Sequence, residues 1–151
     1  MNIFHLFTDS FFLSVEKLQK AFKKHETKEY KWRLNQLVQI CKGLKEMETE
    51  ICEAMRADLG RDMFLNYMAE VSFLEAGAKH DARHLKDWMK RTKEEIELGL
   101  CPGAAYTQYE PLGVVAVYGS WNAPFVTTMK PLIQAITAGN CVIVKPSEIS
   151  V

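Results

Sequence analysis

The feature that most constrains this chain is a change in its hydrophobic pattern near residue 100. Before that point, apolar residues recur at three- and four-residue steps, which is the spacing of amphipathic helices. After it, short valine-rich runs alternate with glycine and proline, and one helical segment lies between two such runs. We therefore predict the α/β class, with a helical N-terminal segment over residues 1–100 and the start of a parallel-sheet domain over residues 101–151.

Three helices account for the first hundred residues. The apolar stripe over 34–55 predicts one long helix that ends near Gly60, and a second stripe over 64–89 predicts another. We expect these two helices to pack as an antiparallel pair joined by a short turn. An earlier helix is predicted over about 12–24.

A strand-helix-strand unit follows. Alternation over 105–110 predicts a short, half-exposed strand, whereas the apolar runs 114–118 and 141–144 predict strands buried on both faces of a parallel sheet. The helix between them spans 124–138, with Pro131 predicting a kink or a late start. The unit predicts a right-handed crossover. Because two parallel strands make an unstable sheet, we expect the chain to be the front part of a larger protein.

Charge and composition exclude several classes of protein. The chain has 19 Lys+Arg and 19 Asp+Glu, so nothing favours binding to nucleic acid or to an anionic membrane. No stretch approaches the roughly 20 apolar residues of a transmembrane helix, and Asp9 interrupts the apolar N-terminus, unlike in a secretory signal. Four cysteines without close spacing indicate reduced thiols. We predict a cytoplasmic protein.

One histidine pair could be mistaken for a metal site. His80 and His84 share a helix face, as in metalloproteases, which would make the protein a zinc hydrolase. However, Asp81 stands where those enzymes have glutamate, its side chain is too short to reach a zinc-bound water, and the sequence suggests no third ligand. We therefore predict no metal and a solvated helix face.

The candidate site lies where the two parallel strands end, because ligands of open parallel sheets bind beyond the carboxyl ends of strands. One strand runs into the loop 119–123, which contains Trp121 and Asn122, and the other runs into Lys145 and Glu148. A Gly-x-Gly-x-x-Gly loop is absent, so a nucleotide would be held differently. Taken singly, these residues have simpler interpretations: a core tryptophan, a turn or cap asparagine, a solvated lysine and a first-turn helix carboxylate.

Four blocks of this region together resemble the aldehyde dehydrogenase superfamily, in its short, fatty-aldehyde-type branch. They are Glu-Pro-Leu-Gly-Val-Val at 110–115, Gly-Ser-Trp-Asn-Ala-Pro-Phe at 119–125, Ala-Gly-Asn at 138–140 and Lys-Pro-Ser-Glu at 145–148. The resemblance extends over nearly the whole chain. It implies oxidation of a small-molecule aldehyde to a carboxylic acid with NAD or NADP, through a cysteine nucleophile, in a homodimeric enzyme.

The resemblance also implies roles for individual residues. Asn122 matches the oxyanion-hole asparagine, whose amide stabilises the negative charge that develops on the substrate oxygen. Lys145 and Glu148 match the residues that hold the adenosine ribose hydroxyls. The residues that match the wall along the cofactor are Tyr118, Gly119, Ser120 and Trp121.

The family's nucleophilic cysteine and general-base glutamate match nothing in this sequence. Cys41 and Cys52 fall on predicted helices, Cys101 in a loop and Cys141 in a buried strand, where a raised pKa would make it inert. We therefore expect an N-terminal fragment that is inactive alone. The alternative is a non-catalytic interaction module that pairs its open sheet edge with a partner.

Overall fold

The computed structural model describes residues 3–100 and 102–150, and the side chains of residues 12–99 and 102–150. Cys101 therefore lies outside the described residues. The elements in chain order are α1 Ile3–Lys23, α2 Tyr30–Glu46, α3 Glu48–Leu59, α4 Met63–Asn66, α5 Phe73–Trp88, β1 Thr92–Glu94, β2 Ala105–Thr107, β3 Val114–Tyr118, α6 Pro124–Ala138 and β4 Cys141–Lys145. Short 3₁₀ turns occur at Glu26–Lys28 and Leu98–Leu100, and a π-helical stretch spans Tyr67–Ser72.

The long helix predicted over 34–55 and ending near Gly60 consists of two helices, α2 and α3, so the prediction of one continuous helix was wrong. Met47 has non-helical dihedral angles (φ −102°, ψ 12°) and separates α2 from α3. Its N–H still bonds the carbonyl of Gly43, and its own carbonyl accepts from Ile51, both at 2.9 Å. The helical bonding therefore continues past the break, which explains why the apolar period crosses it. The end near Gly60 is confirmed, because this residue adopts φ 66° after Leu59.

The second stripe forms a nearly continuous helical rod over α4, the π-helical stretch and α5. Its apolar side packs against α2, and α6 packs against both α2 and α5. The buried core includes these residues: Leu37, Leu44, Cys52, Met55, Val71, Leu74, Ala78, Leu85 and Ile133. Since Ile133 belongs to α6, one core joins the helical segment to the strand-helix-strand unit.

The two sheets match the prediction in part. β2 is shorter than expected and pairs antiparallel with β1, a strand that the sequence pattern did not predict. β3 and β4 pair in parallel, with Val114 opposite Cys141 and Tyr118 opposite Lys145. The prediction that both strands are buried on both faces was wrong, since only Val117 and Cys141 are buried in them. In the described residues this sheet has two strands, so each has an edge without a strand neighbour.

Helix α6 connects the parallel strands and starts at Pro124, so a late start is excluded; Pro131 lies inside it. Buried polar contacts fix its end. Thr27 Oγ1 donates to the carbonyl of Gly139 at 2.8 Å, and Arg33 Nε donates to the carbonyl of Thr27 at 2.9 Å. Burial lowers the pKa of Arg33 below its ordinary value. These contacts tie the 3₁₀ turn Glu26–Lys28 and α2 to the C-terminal end of α6.

Across residues 3–100 and 102–150, no helix has the length and apolar character needed to cross a membrane.

Candidate functional site

The two loops predicted to form the site leave the sheet side by side. Tyr118 and Lys145 are paired in register at the carboxyl ends of β3 and β4. The next residue, Gly119, donates its N–H to the carbonyl of Lys145 at 2.9 Å. The strand ends Tyr118 and Lys145, the segment 119–123 after β3 and the segment 146–150 after β4 therefore share one edge, which we call the site edge.

Gly119 is the point of closest approach at the site edge. A Cβ atom at this position would overlap Thr128 Oγ1 and would lie 3.5 Å from the Cα of Pro146. Thr128 cannot simply rotate away without loss, because its hydroxyl donates to the carbonyl of Pro124 at 2.7 Å. The first turn of α6 and both loops can therefore pack this closely only around a residue that has no side chain.

Asn122 is exposed and is held by its own loop. Ser120 Oγ donates to Asn122 Oδ1 at 2.7 Å, and the backbone N–H of Ser120 donates to Thr127 Oγ1 at 3.0 Å. The Thr127 hydroxyl in turn donates to the carbonyl of Ala123 at 2.9 Å. This network engages the carbonyl end of the Asn122 amide, so the Nδ2 end is the one that can donate to a ligand. Asn122 does not cap α6, whose N-cap residue is Ala123.

Lys145 and Glu148, the two residues matched to the ribose-binding positions, form an ion pair. Lys145 Nζ lies 2.5 Å from Glu148 Oε2, and both side chains are mostly exposed. The hydrogen bond from Lys145 holds the pKa of the Glu148 carboxyl below its ordinary value. Within the described residues, Glu148 lies in a turn that follows β4. The pair presents one ammonium and one carboxylate to solvent at the site edge.

The aromatic residues of the site edge face outward. Tyr118 is 68% exposed and Trp121 is 55% exposed. The interpretation of Trp121 as a core residue is therefore wrong for the described residues. An exposed indole and an exposed phenol at a strand end can pack against a planar or sugar-like ligand.

A buried carboxylate at this site was missed from the sequence. Glu70, in the π-helical stretch, is 1% exposed, and its Oε2 accepts from the N–H groups of Phe125 and Val126 at 3.1 Å each. Its Oε1 bonds Arg61 Nη2. The sequence did contain one sign of this buried carboxylate. Glu70 precedes the core residue Leu74 by four residues, so both lie on the apolar face of the same helix. The partners of Glu70 are distant in sequence, so the stripe alone could not identify them.

The described cysteines do not resemble a nucleophile. Cys41, Cys52 and Cys141 are free thiols, and burial raises the pKa of each. The direction predicted for Cys141 is confirmed. A thiol with a raised pKa is mostly protonated at neutral pH and reacts slowly.

The rings of His80 and His84 lie against each other at a tilt of 31°, and the pair joins no cluster of possible metal ligands in the described part of the chain. The rings of His80 and His84 are 4.2 Å apart, and that of His84 is 5.7 Å from the Trp88 ring. Asp81 Oδ2 accepts from Thr137 Oγ1 on α6 at 3.1 Å. Among the residues that the structure describes, no group of three or more His, Cys, Asp or Glu side chains could hold a metal ion.

Comparison with known proteins identifies the family. The sequence model of the aldehyde dehydrogenase family matches residues 12–151. This chain belongs to the aldehyde dehydrogenase family. An aldehyde dehydrogenase of Craterostigma plantagineum is 39% identical over 136 residues, which are 90% of this chain and 28% of that protein. Aldehyde dehydrogenase family 3 member B1 of Mus musculus is 35% identical over 94% of this chain and 30% of that protein.

A solved aldehyde dehydrogenase structure agrees with the sequence comparison. The substrate-bound state of Staphylococcus aureus AldH superposes with a TM-score of 0.86 at 34% identity, over 98% of this chain and 31% of that one. The fold of the chain is therefore that of the matching part of an aldehyde dehydrogenase. The chain spans roughly three tenths of the length of the relatives it matches.

Proposed function

We propose that the chain provides the oxyanion donor and the ribose-binding residues of an NAD- or NADP-dependent oxidation of an aldehyde to a carboxylic acid. The observation that carries this proposal is the site edge, where the Asn122 amide and the Lys145–Glu148 pair follow two parallel strands joined by Gly119. Enzymes of this fold have been crystallised with NADP, as in GapN of Methanocaldococcus jannaschii, and with NAD, as in PnpE.

Asn122 has the chemistry required of an oxyanion donor. When a thiolate attacks an aldehyde carbonyl, negative charge develops on the oxygen, and an N–H donor at that position stabilises it by about 3 to 4 kcal/mol. The bond from Ser120 engages Oδ1 and leaves the Nδ2 group to serve as the donor to a substrate oxygen. The donor is thus oriented before substrate arrives, which is what makes such a donor effective.

Lys145 and Glu148 fit the sugar of a nicotinamide cofactor, which supplies the hydride acceptor when it is bound. A carboxylate can accept from two vicinal hydroxyls, while the lysine ammonium donates to their oxygens. Like any solvent-exposed carboxyl, Glu148 is ionised at neutral pH, and its negative charge disfavours a ribose 2′-phosphate. Tyr118, Ser120 and Trp121 would provide the wall beside the cofactor, with Gly119 allowing close backbone approach.

We further propose that the 151 residues alone do not turn over aldehyde. Of the described thiols, Cys52 and Cys141 are buried and Cys41 is half-buried; all three have raised pKa values and lie on α2, α3 and β4, not at the site edge. The same proposal includes three further points. The chain divides into a helical segment of 1–100 and a cofactor-binding segment of 101–151, the protein is cytoplasmic, and the intact enzyme is a homodimer. Incubation of the purified chain with NAD and a long-chain aldehyde should yield no NADH.

A chimera tests the role of Asn122. The chain replaces the matching 31% of Staphylococcus aureus AldH, and NADH formation is measured with and without Asn122→Ala. Loss of one oxyanion donor should lower kcat about 10²- to 10³-fold with a smaller change in KM. Asn35→Ala, an exposed asparagine on α2, is the matched control and should leave kcat unchanged. An Asn122→Ala chimera with the kcat of its parent would contradict the proposed role.

A further inference from the structure

A buried polar contact between the helical rod and the first turn of α6 runs through Glu70. This carboxylate is 1% exposed, and both of its oxygens are engaged. Oε1 bonds the guanidinium of Arg61, and Oε2 accepts the N–H groups of Phe125 and Val126. A buried carboxylate is costly unless it is paired and fully hydrogen-bonded, and here it is both.

The two amides that Glu70 binds are the first free donors of α6. Pro124 has no N–H, so Phe125 and Val126 carry the unpaired N–H groups of the first turn. A helix usually satisfies these donors with the side chain of its own N-cap residue. The N-cap here is Ala123, which has no polar side chain, and the start of α6 is therefore capped from another helix.

The capped turn is joined directly to the loop that carries Asn122. Asn122 immediately precedes the Ala123 cap, and Thr127 of the first two turns binds both the carbonyl of Ala123 and the N–H of Ser120. Ser120 then binds the Asn122 amide. A shift in the first turn of α6 would be transmitted to Asn122 through three hydrogen bonds and one peptide unit.

The local geometry of the rod holds the carboxylate in place. Glu70 lies in the π-helical stretch Tyr67–Ser72, where one turn of the rod is wider than an α-helix; such widened turns occur often at functional sites. Arg61 comes from the loop before α4, and Asn66 fastens that loop by donating from Nδ2 to the carbonyl of Arg61 at 3.4 Å and to that of Cys52 in α3 at 3.1 Å. Glu70 and its partner Arg61 are therefore both fixed to the helical core.

We propose that Glu70, held by Arg61, is a positioning residue that caps α6 and thereby sets the place of the Asn122 amide at the site edge. The proposal rests on the proposed function, because only an oxyanion donor needs its amide placed this closely. Glu70 itself does not touch the reacting atoms; it acts through Ala123 and Ser120.

The test is NMR of the full 151-residue chain with Glu70→Ala, Glu70→Gln and the control Glu75→Gln, a carboxylate of α5 paired with Lys79. In Glu70→Ala, amide hydrogen exchange of Phe125 and Val126 should rise about tenfold or more, and the Asn122 Nδ2H₂ signals should move. In Glu70→Gln, whose carbonyl still accepts, both changes should have the same direction and be smaller. Glu75→Gln should leave both unchanged.

Two results would overturn the proposal. Faster exchange at Phe125 and Val126 with unmoved Asn122 signals would mean that Glu70 stabilises α6 without placing the loop. Unchanged exchange would mean that the cap does not exist in solution. Should Glu70→Ala fail to fold, Glu70→Gln decides, since wild-type Asn122 signals in that variant contradict the proposal. Addition of NAD to the wild-type chain tests the proposed function separately, because it does not depend on Glu70.

Discussion

The helical body and the site edge are built on different principles. In the body, Leu37 and Leu85 are fully buried and Leu74 is 1% exposed, and the contacts that hold α2 against α5 are largely apolar. At the site edge, the aromatic residues are more than half exposed, and the loop is held by hydroxyl, amide and carboxylate contacts. Apolar burial provides stability in one region, whereas directional polar bonds fix the position of donors in the other.

The comparison predicts its largest stability effect in the body. Leu85→Ala removes a fully buried side chain between helices and should lower the free energy of unfolding by about 2 to 5 kcal/mol. Leu112→Ala, at a position that is 91% exposed before β3, is the matched control and should change it by about 0.5 kcal/mol or less. Urea unfolding followed by circular dichroism measures both. Equal losses in the two variants would mean that the body does not provide the stability.

A smaller effect is expected where the two loops meet. Gly119→Ala places a methyl group against Thr128 and Pro146 and should destabilise the chain by about 1 to 3 kcal/mol through overpacking. Gly43→Ala is the control, because nothing lies within 4 Å of that position in α2, and alanine should stabilise the helix by about 0.5 to 1 kcal/mol. The double variant Gly119→Ala/Thr128→Ala should recover part of the loss. No loss in Gly119→Ala would show that the loops are not closely packed.

The smallest effect is a titration at the exposed end of the site edge. Lys145→Ala should raise the pKa of Glu148, because it removes the hydrogen bond that lowers it. A carboxyl with a lowered pKa in the folded state favours folding above its unfolded-state pKa, and this contribution is lost as the pH falls through the folded-state pKa. NMR titration of the Glu148 carboxyl measures the change.

Lys90→Ala provides the control for that titration. The hydrogen bond from Lys90 lowers the pKa of Asp87 in the same way at the end of α5, so this variant should raise the pKa of Asp87 and leave that of Glu148 unchanged. If Lys145→Ala leaves the pKa of Glu148 unchanged, the Lys145 ammonium and the Glu148 carboxylate do not form an ion pair in solution.

Sequence patterns predicted the regular elements because those follow local spacing and glycine stops. The parallel strands, the helix between them and the end at Gly60 all agree with the structure. The break at Met47 was missed because apolar spacing continues across it, and β1 was missed because its three residues are all exposed. Local periodicity has no signal for either feature.

Short blocks of sequence predicted which residues lie at the site edge, but they did not predict the long-range contact that supports it. One short block singled out Lys145 and Glu148, although the ion pair between them was not predicted, and the nearness of the two loops follows from parallel strands. The cap by Glu70 joins residues 55 and 56 positions apart. A contact of that range depends on how the π-helical stretch of the rod packs on α6, which no local pattern describes.

The most direct test of the central claim is a titration of the isotope-labelled chain with NAD, followed by amide and side-chain NMR signals. If the site edge binds NAD, the chemical-shift changes should concentrate at Trp121, Lys145 and Glu148, and Lys145→Ala should weaken them. The NMR signals of the helix face that carries His80 and His84 should remain unchanged at every NAD concentration. Shifts confined to that histidine face, or no shift at the site edge up to millimolar NAD, would contradict the claim that this edge binds a dinucleotide.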